Sequence, residues 1–478
     1  MLDKHLKYRR VNQGLIAVFA GLTLSASALC LEPQVEPTPG RALAAIVEDY
    51  VHQGETSNLA LANQNLEWDK SRAALTAARA RFFPEVALNA RYTRADGGRD
   101  IDFPVGQLLN PAYQTLNELL VANGGAPRFP TLADQAIPLQ RAREQDTRIT
   151  LRQPLYAPSL AAELAAAQAN LNAADYTRQS YQRALRRDIT LAYCEWLKAR
   201  SGADILTSSE ALLAENLRVN ESLYSNGKST HDAVLRARAE WLNLQQQRHE
   251  ANNGADQARS YLNFLLNQPL TTPLEAPAVA DTPTAIGSDG NKAADMPAVA
   301  QRPDLLALDQ AQRAASEQWR AARAARRPYL ALGVDAGTQG VDYGVGHNYN
   351  FVTGSLVLTW TLFDAGARSA RVSQARLASA QLANQREQLA ARIGLEVQQT
   401  ADNLRSATDS LITAEARVAA ARAAFTIASR RRDAGMASQL EFLDARSELT
   451  SAELNRNLTH YTLLERQAEY VYARGDLP

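Results

Sequence analysis

Leu356-Val-Leu-Thr-Trp-Thr-Leu362-Phe-Asp-Ala-Gly366, with the proline-free run that follows it to Asp433, decides how this chain folds. Leu356, Leu358, Trp360 and Leu362 fall on one side of the stretch, and Ser355, Val357, Thr359 and Thr361 on the other. That is the period of a strand. The Ala-rich pattern that follows predicts a helix over 365–433, roughly 100 Å long at 1.5 Å per residue. Ordinary helices run to about 11–12 residues. A compact domain cannot bury one this long, so it projects or assembles with others.

The same module stands earlier in the chain. Leu151-Arg-Gln-Pro-Leu-Tyr156 matches the strand end, a long helix is expected over 159–226, and Gly227 corresponds to Gly435. Leu151 aligns with Leu358, Leu155 with Leu362 and Tyr156 with Phe363, at a spacing of about 207–208 residues. The chain therefore reads as a duplicated strand–long-helix unit. The first repeat takes 29–268 and the second 302–478. The segment 269–301, rich in Ala, Pro, Thr, Gly and Asp, joins them as a linker or a belt.

Each repeat has the same parts. Helices are expected over 41–83, with a break near Gly54 to Asn58, and over 302–327. They end at Pro84 and Pro328, because the residue before a proline is pushed out of the helical region. Strands follow at 85–93 and 147–156 in the first repeat, and at 329–337 and 351–363 in the second. Val86, Leu88, Ala90 and Tyr92 share one face of the first strand, and Glu85, Ala87, Asn89 and Arg91 the other. In the third, Leu330, Leu332, Val334 and Ala336 oppose Ala331, Gly333 and Asp335. Beyond the glycine tips, return helices over 230–266 and 438–472 are about half the length of the long ones. Two half-length helices stacked end to end would flank each long helix and make a uniform wall.

Strands of about 9–11 residues with one apolar and one polar face have the length and pattern of a membrane barrel with a wet lumen. An ordinary soluble sheet alternates as well. The adjoining helices and the N-terminus favour the barrel. Lys4, Lys7, Arg9 and Arg10, then the apolar run 15–24, then Ala26-Ser-Ala28, read as a secretory signal over 1–28. Cys30 offers a second processing route, lipidation of a new N-terminal cysteine, although Leu29 fits that signal poorly. Four strands cannot close, and open edges are not tolerated in lipid. Several copies must pool strands, and three copies giving about twelve is the simplest closed number.

Composition excludes other classes. Across 478 residues, 51 Lys and Arg balance 51 Asp and Glu, so nucleic acid is not an expected partner. Beyond the N-terminus no apolar run reaches the ~18 residues of a membrane helix. The two cysteines, Cys30 and Cys194, cannot make a disulfide framework. Six scattered histidines suggest no metal site, and no catalytic constellation or cofactor motif emerges. Gly227-Lys-Ser-Thr230 ends like a phosphate loop, but Ser222 occupies the required glycine position and a helix precedes it. Arg320 to Arg327 is a basic helix end that reads as a solvated face near the membrane. The long loop 94–146 is about 37 residues longer than its counterpart. In it, Asn110-Pro111 predicts a helix start and Gly124 a stop.

Several motifs, in order, resemble the TolC-type outer-membrane efflux channel family. They are Arg302-Pro-Asp-Leu305, the Pro84 and Pro328 strand starts, Leu362-Phe-Asp-Ala-Gly366, and the tip Gly435-Met-Ala-Ser-Gln-Leu-Glu-Phe-Leu-Asp-Ala-Arg446. The resemblance implies a mainly α fold with a membrane β-barrel portion. A homotrimeric twelve-stranded barrel in outer-membrane lipid, four strands per chain, would continue into a long periplasmic α-helical barrel. Its partners would be a periplasmic adaptor and an inner-membrane transporter, in a tripartite pump or type I secretion system. It also implies an acidic periplasmic gate at Glu441 and Asp444, with Asp232 beside the first tip. Gly227, Lys228, Gly435 and Met436 would form adaptor-contact tips. The family's basic gate position falls on Ala437 and its first-tip acidic position on Ala233, so Asp232 and Arg432 are the candidate substitutes. Alternation alone assigns Asn89, Arg91, Asp335 and Thr359 to the lumen. The competing reading is an exported helical scaffold or spacer without channel activity.

Overall fold

The computed structural model describes residues 41–277, 300–344 and 346–475. The expected signal segment, Cys30 and most of the linker lie outside them. Eight helices and six strands are described: α1 (Leu43–Ser57), α2 (Leu59–Ala80), β1 (Glu85–Arg94), β2 (Asp100–Phe103), α3 (Val105–Ala122), β3 (Gln135–Pro138) and β4 (Arg143–Tyr156). They continue with α4 (Leu160–Ser225), α5 (His231–Leu265), α6 (Pro303–Ala324), β5 (Tyr329–Gly340), β6 (Asn350–Thr359), α7 (Ala367–Asp433) and α8 (Gln439–Arg474).

The long strands form one antiparallel sheet in the order β1-β4-β5-β6. Register fixes its two faces. Val86 pairs with Leu151, and Leu151 with Val334; Leu332 pairs with Leu356. On that face Leu88 is 71% exposed, Val352 78% and Leu356 64%. Water would penalise so much exposed apolar surface on a sheet. Two strands are longer than their sequence pattern predicts. β4 begins at Arg143 and β5 runs to Gly340, because charged and glycine residues there still pair across the ladder. β6 ends at Thr359, short of the expected 363, so Trp360 to Phe363 lie past the ladder. Gly337 sits between Arg148 and Phe351 in register. A Cβ there would lie 2.2 Å from the Thr147 carbonyl oxygen, and the Arg148 guanidinium reaches to 5.9 Å from the Phe351 ring.

The loop helix is longer than expected. α3 starts at Val105, with Pro111 inside it. Asp134 Oδ1 accepts from the Gly106 and Gln107 amides at 2.9 and 3.2 Å and so serves the helix start. Asn110, expected as the cap, instead brackets Leu132: its Nδ2 donates to the Leu132 carbonyl at 2.8 Å and its Oδ1 accepts the Leu132 amide at 2.7 Å. The β2–β3 ribbon beside it has only four-residue strands, too short to leave a periodic signal.

Below the sheet, α4 packs against α5 in one hairpin and α7 against α8 in the other; α4 also meets α1, α2, α6 and α8, and α6 lies on α7. The largest core gathers Ile46, Ile189, Tyr193, Leu262 and Leu266, each at most 1% exposed. Cys194 is buried beside them, and burial pushes its thiol up to about 12, so it behaves as a small apolar side chain.

The half-length helices do stack end to end, and polar side chains make the joints. A helix C-terminus leaves its last carbonyls without partners. At the α5 end, Ser57 Oγ donates to the Leu266 carbonyl at 2.7 Å and Asn58 Nδ2 to the Leu265 carbonyl at 2.9 Å. Asn58 also caps α2, its Oδ1 accepting the Leu61 amide at 2.9 Å. In the second repeat Arg302, 3% exposed, takes that place. It donates to the Ala473 carbonyl at 2.9 Å, pairs with Asp304 at 2.8 Å and Glu396 at 3.3 Å, and lies over the Tyr472 ring.

Arg302→Ala would leave a buried carbonyl and two carboxylates without their cation. It should cost about 3–5 kcal/mol, read as an early loss of helical signal on thermal melting in detergent. Melting at the wild-type temperature would show that the joint carries no such role.

Candidate functional site

Both tips end in the same backbone device. Gly227 and Gly435 adopt φ of +69° and +72°, the left-handed region that closes a helix at low steric cost. The Lys228 amide donates to the Leu223 carbonyl at 2.8 Å, and the Met436 amide to the Arg431 carbonyl at 2.7 Å. Lys228 and Met436 are exposed beyond their helices, Met436 at 67%.

The second tip is more tightly tied than the first. Ser438 caps α8, its Oγ accepting the Glu441 amide at 3.2 Å. The Glu441 side chain does not complete a capping box. It turns back across the tip, where Arg431 Nη1 donates to Glu441 Oε1 at 2.6 Å and Arg431 Nη2 to the Met436 carbonyl at 3.3 Å. Asp444, one turn further along α8, is exposed and has no ion pair among the described residues. The two candidate carboxylates thus differ: one is neutralised by its own tip, and the other is free.

The proposed substitutes for the missing gate partners do not meet within the chain. Asp232 accepts from Arg236 Nε at 3.0 Å on its own helix. Arg432 is committed elsewhere. It donates to Asn216 Oδ1 at 3.2 Å, pairs with Asp433 at 3.1 Å, and lies 3.7 Å over the Phe442 ring. It joins α7 to α4 and α8 near the tips. Sequence reasoning missed the Arg431–Glu441 link, since ten residues across a helix reversal have no fixed distance until the turn is known.

On the sheet, Asn89, Arg91, Asp335 and Thr359 all share the polar face. Asn89 Nδ2 donates to Thr150 Oγ1 at 3.1 Å, and Asp335 lies opposite both Thr150 and Thr353. Arg91 approaches Asp146 at 3.6 Å. Asp146 is 3% exposed and also accepts from Arg148 Nε at 3.0 Å. This Arg91–Asp146–Arg148 cluster was legible only to a reader who carried the alternation of β4 back past Thr147. Thr359 stands apart at the strand end, opposite Tyr329.

Among the described residues no group of His, Cys, Asp and Glu could hold a metal ion. Nor is any described helix long and apolar enough to cross a membrane.

The chain aligns with the outer-membrane channel OprN at 19% identity and a TM-score of 0.72, over 90% of each chain. The CmeC outer membrane channel of Campylobacter jejuni aligns at 16% identity and a TM-score of 0.76, over 94% of this chain and 90% of that one. The open state of the MtrE channel of Neisseria gonorrhoeae gives 18% and 0.70, over 93% and 96%. Comparison with curated protein sequences returns no match. A family model for outer membrane efflux proteins matches residues 51–268 and 297–471, and the chain belongs to that family.

Proposed function

We propose that this protein is a passive exit duct of the outer membrane and periplasm. Three copies would close twelve strands into a barrel and continue it as a helical tube. The observation that carries this reading is the four-stranded sheet itself. One face is apolar and exposed, the other polar and ion-paired, and among the described residues neither edge has a partner strand. A scaffold without a channel would have no use for that apolar face. The helices α4 and α7, 66 and 67 residues long, then extend about 100 Å from the membrane.

In this reading Asn89, Arg91, Asp335 and Thr359 face a wet lumen. Gly227, Lys228, Gly435 and Met436 meet a periplasmic adaptor, which couples the duct to an inner-membrane transporter in a tripartite pump or type I secretion system. Glu441 and Asp444 ring the entrance in threes, with Asp232 near the first tip. A ring of carboxylates favours cations, and Asp444 carries most of that preference because Arg431 offsets Glu441.

Three outcomes in planar bilayers test this reading. The wild-type protein should give discrete conductance steps, whereas a bilayer that stays silent at saturating protein contradicts a duct. Glu441→Ala combined with Asp444→Ala should raise conductance by about twofold or more and weaken cation preference. Asp444→Ala alone should produce the larger part of the change in selectivity. Unchanged conductance and selectivity in the double variant would remove the gate assignment.

A further inference from the structure

The basic end of α6 takes no part in the sheet's polar face or in the tips. Glu317, Arg320 and Ala324 follow one another at helical spacing on one face of α6, with Arg323 beside them, and Arg327 lies three residues past the helix end. Together with Arg326 they line one wall of an open cleft of about 650 Å³. Pro158, Ala161 and Ala162, at the start of α4, line the other wall and bring no charge.

Four arginines and one carboxylate leave this cleft with a charge of three in excess (4 − 1). Arg320 Nη1 pairs with Glu317 at 2.6 Å. Arg323 lies 5.3 Å over the Trp319 ring, and Arg326 Nη2 donates to Ser369 Oγ at 3.2 Å. Among the described residues Arg323, Arg326 and Arg327 have no carboxylate partner. Farther along the tube, Arg386, Arg417 and Arg422 each meet an acid on a neighbouring helix. The excess stands in a chain whose net charge is zero. The negative end of the α6 dipole favours cations there by about 0.3–1 kcal/mol each. That term accounts for basic residues in the last turn, but not for several converging on one cleft, where they repel.

Their position supplies the rest. Trp360 Nε1 donates to the Arg326 carbonyl at 3.2 Å. Trp360 at 55% and Phe363 at 85% exposure follow β6 at this strand–helix junction, and Phe83 at 68% precedes β1 at the other edge of the sheet. Exposed aromatics of this kind settle at the headgroup level of a bilayer. Arg326 and Arg327 stand at the level of that belt, where lipid phosphates lie, and Arg320 lies roughly 10 Å farther back along the chain. Guanidinium forks match phosphate oxygens two by two.

We propose that this cleft binds a phosphate group, either that of an anionic phospholipid headgroup or that of a soluble phosphate. The inference rests on the membrane placement proposed above, but its test does not need a conducting channel.

The full chain, purified in detergent, is titrated with short-chain phosphatidylglycerol and, separately, with inorganic phosphate, and binding is followed by calorimetry. Wild type should bind at least one probe. Arg320→Gln/Arg323→Gln/Arg327→Gln should bind it at least tenfold more weakly, and Glu317→Gln severalfold more tightly because Arg320 is released. Phosphatidylglycerol that inorganic phosphate cannot displace at hundredfold excess assigns the site to lipid, and displacement at similar concentrations assigns it to a soluble phosphate. No binding of either probe, or equal binding by wild type and the triple variant, overturns the proposal. Should the triple variant fail to fold, Arg327→Gln and Glu317→Gln carry the test, and affinities identical to wild type in both overturn it.

Discussion

Two unpaired strand edges govern this molecule. Among the described residues β1 and β6 pair neither with each other nor with any further strand. An edge strand of ten residues turns about half its amides and carbonyls outward. In hydrocarbon each unsatisfied group costs several kcal/mol. The apolar outer face would draw the sheet into lipid, and the open edges would forbid it to stay there alone. Pairing β6 of one copy with β1 of the next would satisfy both demands at once. A lone subunit in water would face the opposite problem, since its exposed Leu, Val and Ile have no cover.

The helical part solves a different problem by a related device. A wall about 100 Å tall must have even thickness, yet each repeat returns only half its length. The solution is to butt short helices against one another and to bury polar side chains at the joints. Ser57 and Asn58 do this in the first repeat and Arg302 in the second. The two repeats share a shape but not the chemistry of the joint. Arg302 adds two carboxylates and an aromatic ring to a task that a serine and an asparagine perform alone. The second repeat is also the one with the more heavily tied tip, through Arg431 and Arg432.

Much of this was legible in the sequence, for identifiable reasons. The long helices follow from unbroken Ala-rich periodicity between a strand and a helix-closing glycine. The strands follow from alternation and from Pro84 and Pro328. Register places Asn89, Arg91, Asp335 and Thr359 on one face, as alternation requires. What escaped depends on distance through space. Asn110-Pro111 looked like a helix start because the local signal is strong, but Asp134, 28 residues on from Gly106, decides where α3 begins. Asp146 fell outside the strand pattern because charged residues interrupt it. The pairing of Arg431 with Glu441, leaving Asp444 free, depends on the path of the tip turn, which residue types do not specify.

The account stands or falls on the sharing of strand edges between copies. The most direct measurement is the molecular mass of the mature protein in detergent, by light scattering after chromatography, with the detergent contribution subtracted. The account predicts a detergent-requiring particle of three chains that persists on dilution. A monomer or dimer that stays in solution without detergent would contradict it, because the edges of β1 and β6 would then have no partner and no lipid to exclude them from water.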